Sequence, residues 1–178
     1  LKNKNVKSKG KNIMNKFAVI VSARNESDVI EEFIHTVDLQ DYPSDLIDVY
    51  VIADNCSDDT AQKARIAGAH VYERFDNKKV GKGYALDFLF KILRSRKTKY
   101  DGYFIFDADN LLSRNYISEM NKVFNRKYKI VTSYRNSKNY DSNWISAGYS
   151  LWFLRESKYL NYARMLLNNS CAVSGTGF

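Results

Sequence analysis

Two carboxylates one residue apart, Asp107 and Asp109, are the side chains of this sequence best placed to do chemistry. They directly follow an apolar run, residues 103–106, whose aromatic and β-branched side chains are typical of a buried strand. Ligands bind where the strands of a parallel sheet end. Neighbouring carboxylates repel each other, and a divalent cation that holds phosphate oxygens would remove that repulsion. The alternative is that one aspartate caps a helix and the other is solvated.

Polar clusters also follow two other predicted strands. The run at residues 17–21 is followed by Ser22-Ala23-Arg24-Asn25-Glu26, and the run at 47–53 by Asp54-Asn55-Cys56-Ser57-Asp58-Asp59. The carboxyl ends of parallel strands share one edge of the sheet, so these clusters are expected beside Asp107 and Asp109. Three acid-bearing loops at one edge favour a bound cation over a coincidence.

The elements that position these residues alternate along the chain. Apolar periodicity predicts strands at 17–21, 47–53, 69–72, 102–106 and 129–133, and helices between them at 28–39, up to 67, after 83 and at 114–124. A further aromatic-rich helix is expected over 142–167. Alternation of this kind specifies an α/β fold with a mostly parallel, Rossmann-like sheet covered by helices on both faces.

A basic, glycine-containing loop precedes the third predicted helix. Lys78, Lys79 and Lys82 lie there with Gly81 and Gly83, and the following helix N-terminus adds a positive end. The loop could therefore approach a diphosphate. It lacks the spacing of the known phosphate-binding fingerprints, so a plain turn is the alternative.

Charge and composition narrow the partners. Of the net charge of +8, the first 16 residues contribute +6 through six lysines and no acid, and they predict a basic, disordered arm at 1–16. The arm is either a solvated tail or a segment that faces anionic lipid headgroups. It has no interleaved aromatic residues, so no nucleic-acid partner is expected. The two cysteines match no metal spacing and fit a reduced compartment.

Four motifs, in this order and spacing, resemble the family 2 glycosyltransferases of the GT-A fold. They are VIVSARNE (19–26), ADNCSDDT (53–60), GKGYALDF (81–88) and FIFDADN (104–110). The resemblance covers residues 17–178, which are expected to form a nucleotide-sugar-binding domain. It implies a UDP-sugar donor and a Mg²⁺ or Mn²⁺ cofactor.

The resemblance also assigns residues. Asp107 and Asp109 correspond to the metal-binding Asp-x-Asp, with Asp109 the more direct ligand, and Asp54 corresponds to the residue that contacts uracil. The implied nucleotide-binding residues are Ala23, Asn25, Glu26, Asp54, Lys82 and Asp107.

The family inverts the anomeric centre by direct displacement, with a carboxylate base on the acceptor hydroxyl. Ser174, Gly175 and Thr176 resemble the family's acceptor loop. The base normally lies downstream of that loop, and no acidic residue follows it here. The chain is therefore expected to be cut before the base, to contain no catalytic residue and to be inactive alone.

The resemblance further implies a saccharide or lipid acceptor, a surface polysaccharide or glycolipid product, and a whole protein at the cytoplasmic face of the cell membrane. The sequence contains no apolar run long enough to span a bilayer, and the fragment is expected to be soluble. The aromatic residues of the 142–167 helix favour core or interface packing over a sugar-stacking or membrane-facing surface.

Three other functions fit parts of the pattern. A phosphatase of the haloacid-dehalogenase type also uses Asp-x-Asp, but its nucleophile strand comes first in the domain, and Asn110-Leu111-Leu112 follows here instead of Gly-Thr. A nucleotidyltransferase would show a glycine-rich loop after the first strand, which SARNES is not. A non-catalytic nucleotide-binding module is the third alternative.

Overall fold

The computed structural model describes residues 13–137, 142–173 and 175–178. The strands are β1 (Phe17–Ala23), β2 (Ile47–Asp54), β3 (His70–Arg74) and β4 (Gly102–Asp107). The helices are α1 (Ile30–Asp38), α2 (Thr60–Ile66), α3 (Lys82–Ser95), α4 (Tyr116–Phe124), α5 (Trp144–Leu154) and α6 (Tyr162–Leu166). A 3-10 turn, Ser44–Leu46, precedes β2, and a π-helical segment, Arg155–Asn161, joins α5 to α6.

The four strands form one parallel sheet in the order β3-β2-β1-β4. All four carboxyl ends therefore lie at the same edge, which we call the carboxyl edge. At this edge Ser22 of β1 is in register with Asp107 of β4, and Asp54 of β2 is in register with Arg74 of β3. The predicted α/β, Rossmann-like fold is confirmed, with β3 running two residues further than the sequence indicated.

Side-chain alternation along β1 explains why helices cover both faces. Val19 and Val21 point into a core that contains Phe33 of α1 and Ile117 of α4. Ile20 points into the opposite core, against α3. Every residue of β1 except Ser22 is buried, as expected for a central strand of a parallel sheet.

The predicted fifth strand was wrong. Residues 129–133 all belong to the described part of the chain and form no strand there. Gly177 N–H donates to Ile105 O and Ile105 N–H donates to Phe178 O, both at 2.8 Å, and Ser133 N–H donates to Gly177 O at 3.3 Å. Gly177 and Phe178 thus lie opposite the single residue Ile105. Because Gly177 also has a positive φ of 71°, this is the geometry of a G1 β-bulge. The C-terminal residues therefore intervene between β4 and residues 129–133.

The two ends of the described chain differ in how they pack. Ile13 O accepts hydrogen bonds from the side chains of Asn121 and Asn125, so residues just before β1 contact α4. The rest of the predicted basic arm, residues 1–12, lies outside the described residues. At the other end, α5, the π-helical segment and α6 form the expected aromatic-rich helix.

That helix does not bury its aromatic face in a core. Trp144 is 83% exposed and Trp152 50%. Phe153 is half-buried, with the Arg135 guanidinium 4.9 Å from its ring centroid. The two tryptophans do not pack into the core that the described residues form, and interface packing stays a prediction. Within the described ranges, no helix is both long enough and apolar enough to cross a membrane.

Candidate functional site

The loop after β1 is tied to the loop after β2. Asn25 adopts a positive φ of 55°, and its side-chain Oδ1 accepts a hydrogen bond from the Ser57 backbone N–H at 2.8 Å. The Glu26 backbone N–H donates to Thr60 Oγ1 at 2.9 Å. Ala23 is buried at the end of β1. The polar clusters of the first two strands therefore form one connected surface at the carboxyl edge.

The end of β2 carries a buried ion pair that the sequence reading missed. Asp54 Oδ1 accepts from Arg74 Nη1 at 2.5 Å, and the two side chains are 5% and 8% exposed. Arg74 Nη2 also donates to Lys79 O at 2.6 Å and to Asp76 Oδ2 at 3.2 Å. The guanidinium thus connects β2 to the basic loop before α3, because its fork has donors for several acceptors at once.

The basic loop is shaped by Asp76. Its Oδ1 accepts hydrogen bonds from the backbone N–H groups of Lys78 and Lys79, each at 2.9 Å, which fold the chain into a tight turn. These two bonds, ahead of the nearby Arg74 and Lys79 charges, lower the pKa of Asp76 below its ordinary value. The sequence allowed either a plain turn or a phosphate-binding loop here. The structure shows a turn whose Lys79 carbonyl is hydrogen-bonded to Arg74.

The end of β4 holds the Asp-x-Asp pair. Asp107 Oδ1 accepts from Lys82 Nζ at 2.6 Å, and the same ammonium donates to Gly175 O at 2.5 Å. Thr176 Oγ1 accepts from the Asp107 backbone N–H at 2.9 Å and donates to Asn110 Oδ1 at 2.5 Å. The segment with Gly175 and Thr176 is therefore in direct contact with the loop after β4.

The pKa of Glu26 reflects the negative charge at the carboxyl edge. Burial first, and then the charges of Asp109, Asp107 and Asp58, raise the pKa of Glu26 above its ordinary value. Asp107 ends β4, and the other acids follow β1, β2 and β4. The parallel register of β1 with β2 and β4 brings these strand ends to one edge, which accounts for the direction of the shift.

The side chains at the carboxyl edge would supply only part of the coordination shell of a divalent cation. In the described part of the chain, no group of three or more His, Cys, Asp or Glu side chains is arranged to hold a metal. Two carboxylates are present at Asp107 and Asp109, and an ammonium already pairs with one of them. Mg²⁺ is commonly held by one or two carboxylates, with substrate phosphate oxygens and water completing its shell. The residues fit a cation that arrives with a diphosphate.

The structure brings together most of the predicted site residues. Asn25, Glu26, Asp54, Lys82, Asp107, Asp109, Gly175 and Thr176 all lie in the segments joined by the contacts above. Ser174 lies outside the described residues. Arg74 was missed because the sequence reading ended the third strand at residue 72. The available signal was the charged pair Glu73-Arg74 after an apolar run, in a chain whose other strands are also followed by charged or polar residues.

A parallel sheet with charged and polar side chains gathered at its carboxyl edge is typical of ligand-binding α/β domains. The family model described as "Glycosyltransferase like family 2" matches residues 15–178. The chain therefore belongs to the family 2 glycosyltransferases. None of the curated proteins matches it.

Solved structures with a similar fold include two that hold a nucleotide-sugar. One is the mannosyltransferase PcManGT from Pyrobaculum calidifontis in complex with GDP-Man and Mn²⁺, with a TM-score of 0.57 and 22% identity over 73% of this chain and 38% of that one. The other is S. aureus TarS 1-349 in complex with UDP-GlcNAc, with a TM-score of 0.51 and 21% identity over 62% of this chain and 31% of that one. This chain thus spans well under half of either protein.

Proposed function

We propose that this chain is the donor-binding part of an inverting glycosyltransferase that transfers a hexose or N-acetylhexosamine from a UDP-sugar to a saccharide or lipid acceptor. The observation that carries the proposal is the convergence of three acid-bearing loops and Lys82 at one edge of a parallel sheet. Family membership and the nucleotide-sugar ligands of the two similar structures support the same class of donor.

Asp54 is proposed to bind the uracil. A carboxylate oxygen accepts the ring N–H of uracil, and Arg74 already holds the other oxygen of this group in place. Ala23 and Asn25, at the end of β1 and just after it, would line the same pocket, because β1 is the direct neighbour of β2.

Lys82 is proposed to bind the diphosphate, and Asp107 and Asp109 to bind its metal ion. Lys82 lies at the N-terminus of α3, where the helix dipole also favours a negative ligand. Asp107 and Asp109 would hold Mg²⁺ or Mn²⁺, which stabilises the charge of a leaving diphosphate when bound. The Mn²⁺ in the PcManGT complex supports a divalent ion in this class of site.

Gly175 and Thr176 are proposed to border the acceptor. Their contacts with Lys82 and Asp107, the residues proposed to bind the diphosphate and its metal, support this role. Inversion requires a general base near the acceptor hydroxyl, and we assign none of the described residues to that role.

Calorimetry with UDP, in the presence and absence of Mn²⁺, tests the proposal. We expect Mn²⁺-dependent binding of UDP that weakens about 100-fold in Asp109→Asn, because the neutral amide is a much poorer metal ligand. Asp87→Asn is the matched control, since Asp87 pairs with Lys91 on the exposed face of α3. An equal UDP affinity with and without Mn²⁺, or an unchanged affinity in Asp109→Asn, would exclude Asp109 as a metal ligand for UDP.

Association with the cytoplasmic face of the membrane is a separate part of the proposal. Its support is the density of positive charge in residues 1–16, since polybasic segments bind anionic lipid headgroups. Sedimentation with vesicles that contain phosphatidylserine should capture the chain at low salt and lose it after removal of residues 1–12. Equal capture by neutral phosphatidylcholine vesicles would contradict an electrostatic attachment.

A further inference from the structure

Arg74 is a buried charge whose partners all belong to the candidate site. It ends β3 in register with Asp54, and only 8% of its side chain is exposed. Removing a guanidinium from water is unfavourable unless its donors are satisfied. Here they reach Asp54, Asp76 and the carbonyl of Lys79. A residue with this pattern of contacts fixes the geometry of its neighbours.

The contacts fix one oxygen of the Asp54 carboxylate in particular. Arg74 Nη1 and Asn55 Nδ2 both donate to Oδ1, at 2.5 and 3.2 Å. Asn55 is itself held, because its N–H donates to Arg74 O and its Oδ1 accepts from Asp76 N–H, at 2.8 and 2.9 Å. No hydrogen bond made between described residues ends on Oδ2. The second oxygen is thus left to accept a bond from a ligand.

Because Oδ2 of Asp54 can only accept a hydrogen bond, it distinguishes nucleobases by whether their ring nitrogen carries a hydrogen. It can accept the N3–H of uracil or the N1–H of guanine, whereas N3 of cytosine and N1 of adenine present a lone pair and are repelled. The discrimination depends on where Oδ2 lies, since a rotated carboxylate would no longer meet the base edge in line.

We infer that Arg74 is a positioning residue that sets the nucleobase selectivity of the donor site by holding Asp54 Oδ1 and leaving Oδ2 as the base acceptor. Arg74 itself does not touch the donor. The inference rests on the proposed binding of UDP and adds to it the residue that makes the site select uracil over cytosine.

The experiment measures the affinities of UDP and CDP, each with Mn²⁺, by calorimetry in the wild type, Arg74→Gln and Arg74→Lys. We expect the wild type to prefer UDP, and the preference to fall about tenfold in Arg74→Gln, the effect of one misdirected charged hydrogen bond. Arg74→Lys keeps a charge for Asp54 but cannot reach all three acceptors, so its preference should fall by a smaller factor.

Two controls separate positioning from general damage. Arg65→Gln removes a guanidinium from the exposed Arg65–Glu73 pair next to the same strand, and it should leave the preference unchanged. Lys78→Ala removes a positive charge from the basic loop and keeps the backbone N–H that donates to Asp76, so the contacts of Arg74 with Asp54 and Asp76 stay in place. It should weaken UDP and CDP by the same factor and keep their ratio, because the diphosphate is common to both.

The outcomes are distinguishable. A wild type that binds no UDP with Mn²⁺ would refute the proposed function and, with it, this inference. A wild type that binds UDP and CDP equally, or an unchanged UDP:CDP ratio in a folded Arg74 variant, would overturn the inference and leave the proposed function intact. If Arg74→Gln does not fold, the ratio in Arg74→Lys decides, since that variant keeps a positive charge in the buried position.

Discussion

The ends of β2 and β4 each pair an acid with a base, but in opposite environments. The Asp54 side chain is 5% exposed and is held by the forked guanidinium of Arg74, which makes two further contacts. The Asp107 side chain is 45% exposed and is held by the single ammonium of Lys82. An arginine fork is rigid, whereas a lysine on a flexible stem is easily displaced. The β2 end therefore keeps one geometry, and we propose that the β4 end can exchange its cation.

This difference matches what the two halves of the proposed nucleotide-sugar donor would require. A base must be recognised by a fixed hydrogen-bonding pattern, since misplacement of an acceptor costs selectivity. A diphosphate with its metal brings its own positive charge, so the acids that receive it need a cation that can leave. Substitutions at the two strand ends should therefore differ in their effects.

Replacing Arg74 by Met should destabilise the fold by about 3–5 kcal/mol, because it leaves Asp54 buried without its partner. Urea unfolding measures this free energy. Arg65→Met, in an exposed ion pair, should cost no more than about 1 kcal/mol. Similar losses of stability in the two variants would contradict a rigid β2 end.

Replacing Lys82 by Met should change metal binding in two directions. Without nucleotide, Mn²⁺ should bind several-fold tighter, since no ammonium competes for Asp107. With UDP present, the combined affinity should fall about tenfold, because a diphosphate contact is lost. Electron paramagnetic resonance of free Mn²⁺ gives both values, and Lys91→Met on α3 is the control. Unchanged Mn²⁺ affinity without UDP would contradict the exchange of cations at the β4 end.

Replacing Thr176 by Val should loosen the C-terminal segment from the β4 end by about 1–2 kcal/mol, because both hydrogen bonds of the hydroxyl are lost. Hydrogen exchange at the Asp107 amide should become faster as a result. Thr98→Val, at an exposed position after α3, should leave that exchange rate unaltered.

Replacing Glu26 by Gln should have the smallest effect and a defined pH dependence. The folded chain raises the pKa of Glu26, so ionisation destabilises the fold; this cost is absent below the ordinary glutamate pKa and complete above the raised one. The variant should be more stable than the wild type at pH 7 by less than about 1 kcal/mol, and the gain should vanish near pH 4. Urea unfolding at both values measures it, with Glu31→Gln as the control. A gain that is equal at pH 4 and pH 7 would exclude the charge field as its cause.

The carboxyl edge shows how far sequence reasoning reaches. Asp107 and Asp109 were identified because an apolar strand stops abruptly at them, and Lys82 because glycines mark the start of a helix. These are local signals, and parallel pairing then places their strand ends at one edge. The predicted strand at 129–133 failed because a short apolar run becomes a strand only if a neighbour pairs with it, and residues 177–178 lie between this run and β4.

The sequence by itself determined the alternation of strands and helices, the acidic strand ends and the family motifs, since each depends on residues close together in the chain. Only the tertiary structure decided that Arg74 meets Asp54 and that Thr176 meets Asp107. The first contact depends on the register of β2 with β3, and the second joins residues 69 positions apart. Such pairings follow from packing of the whole sheet, which no local pattern encodes, and they leave one acid buried beside a guanidinium and the other half-exposed beside an ammonium.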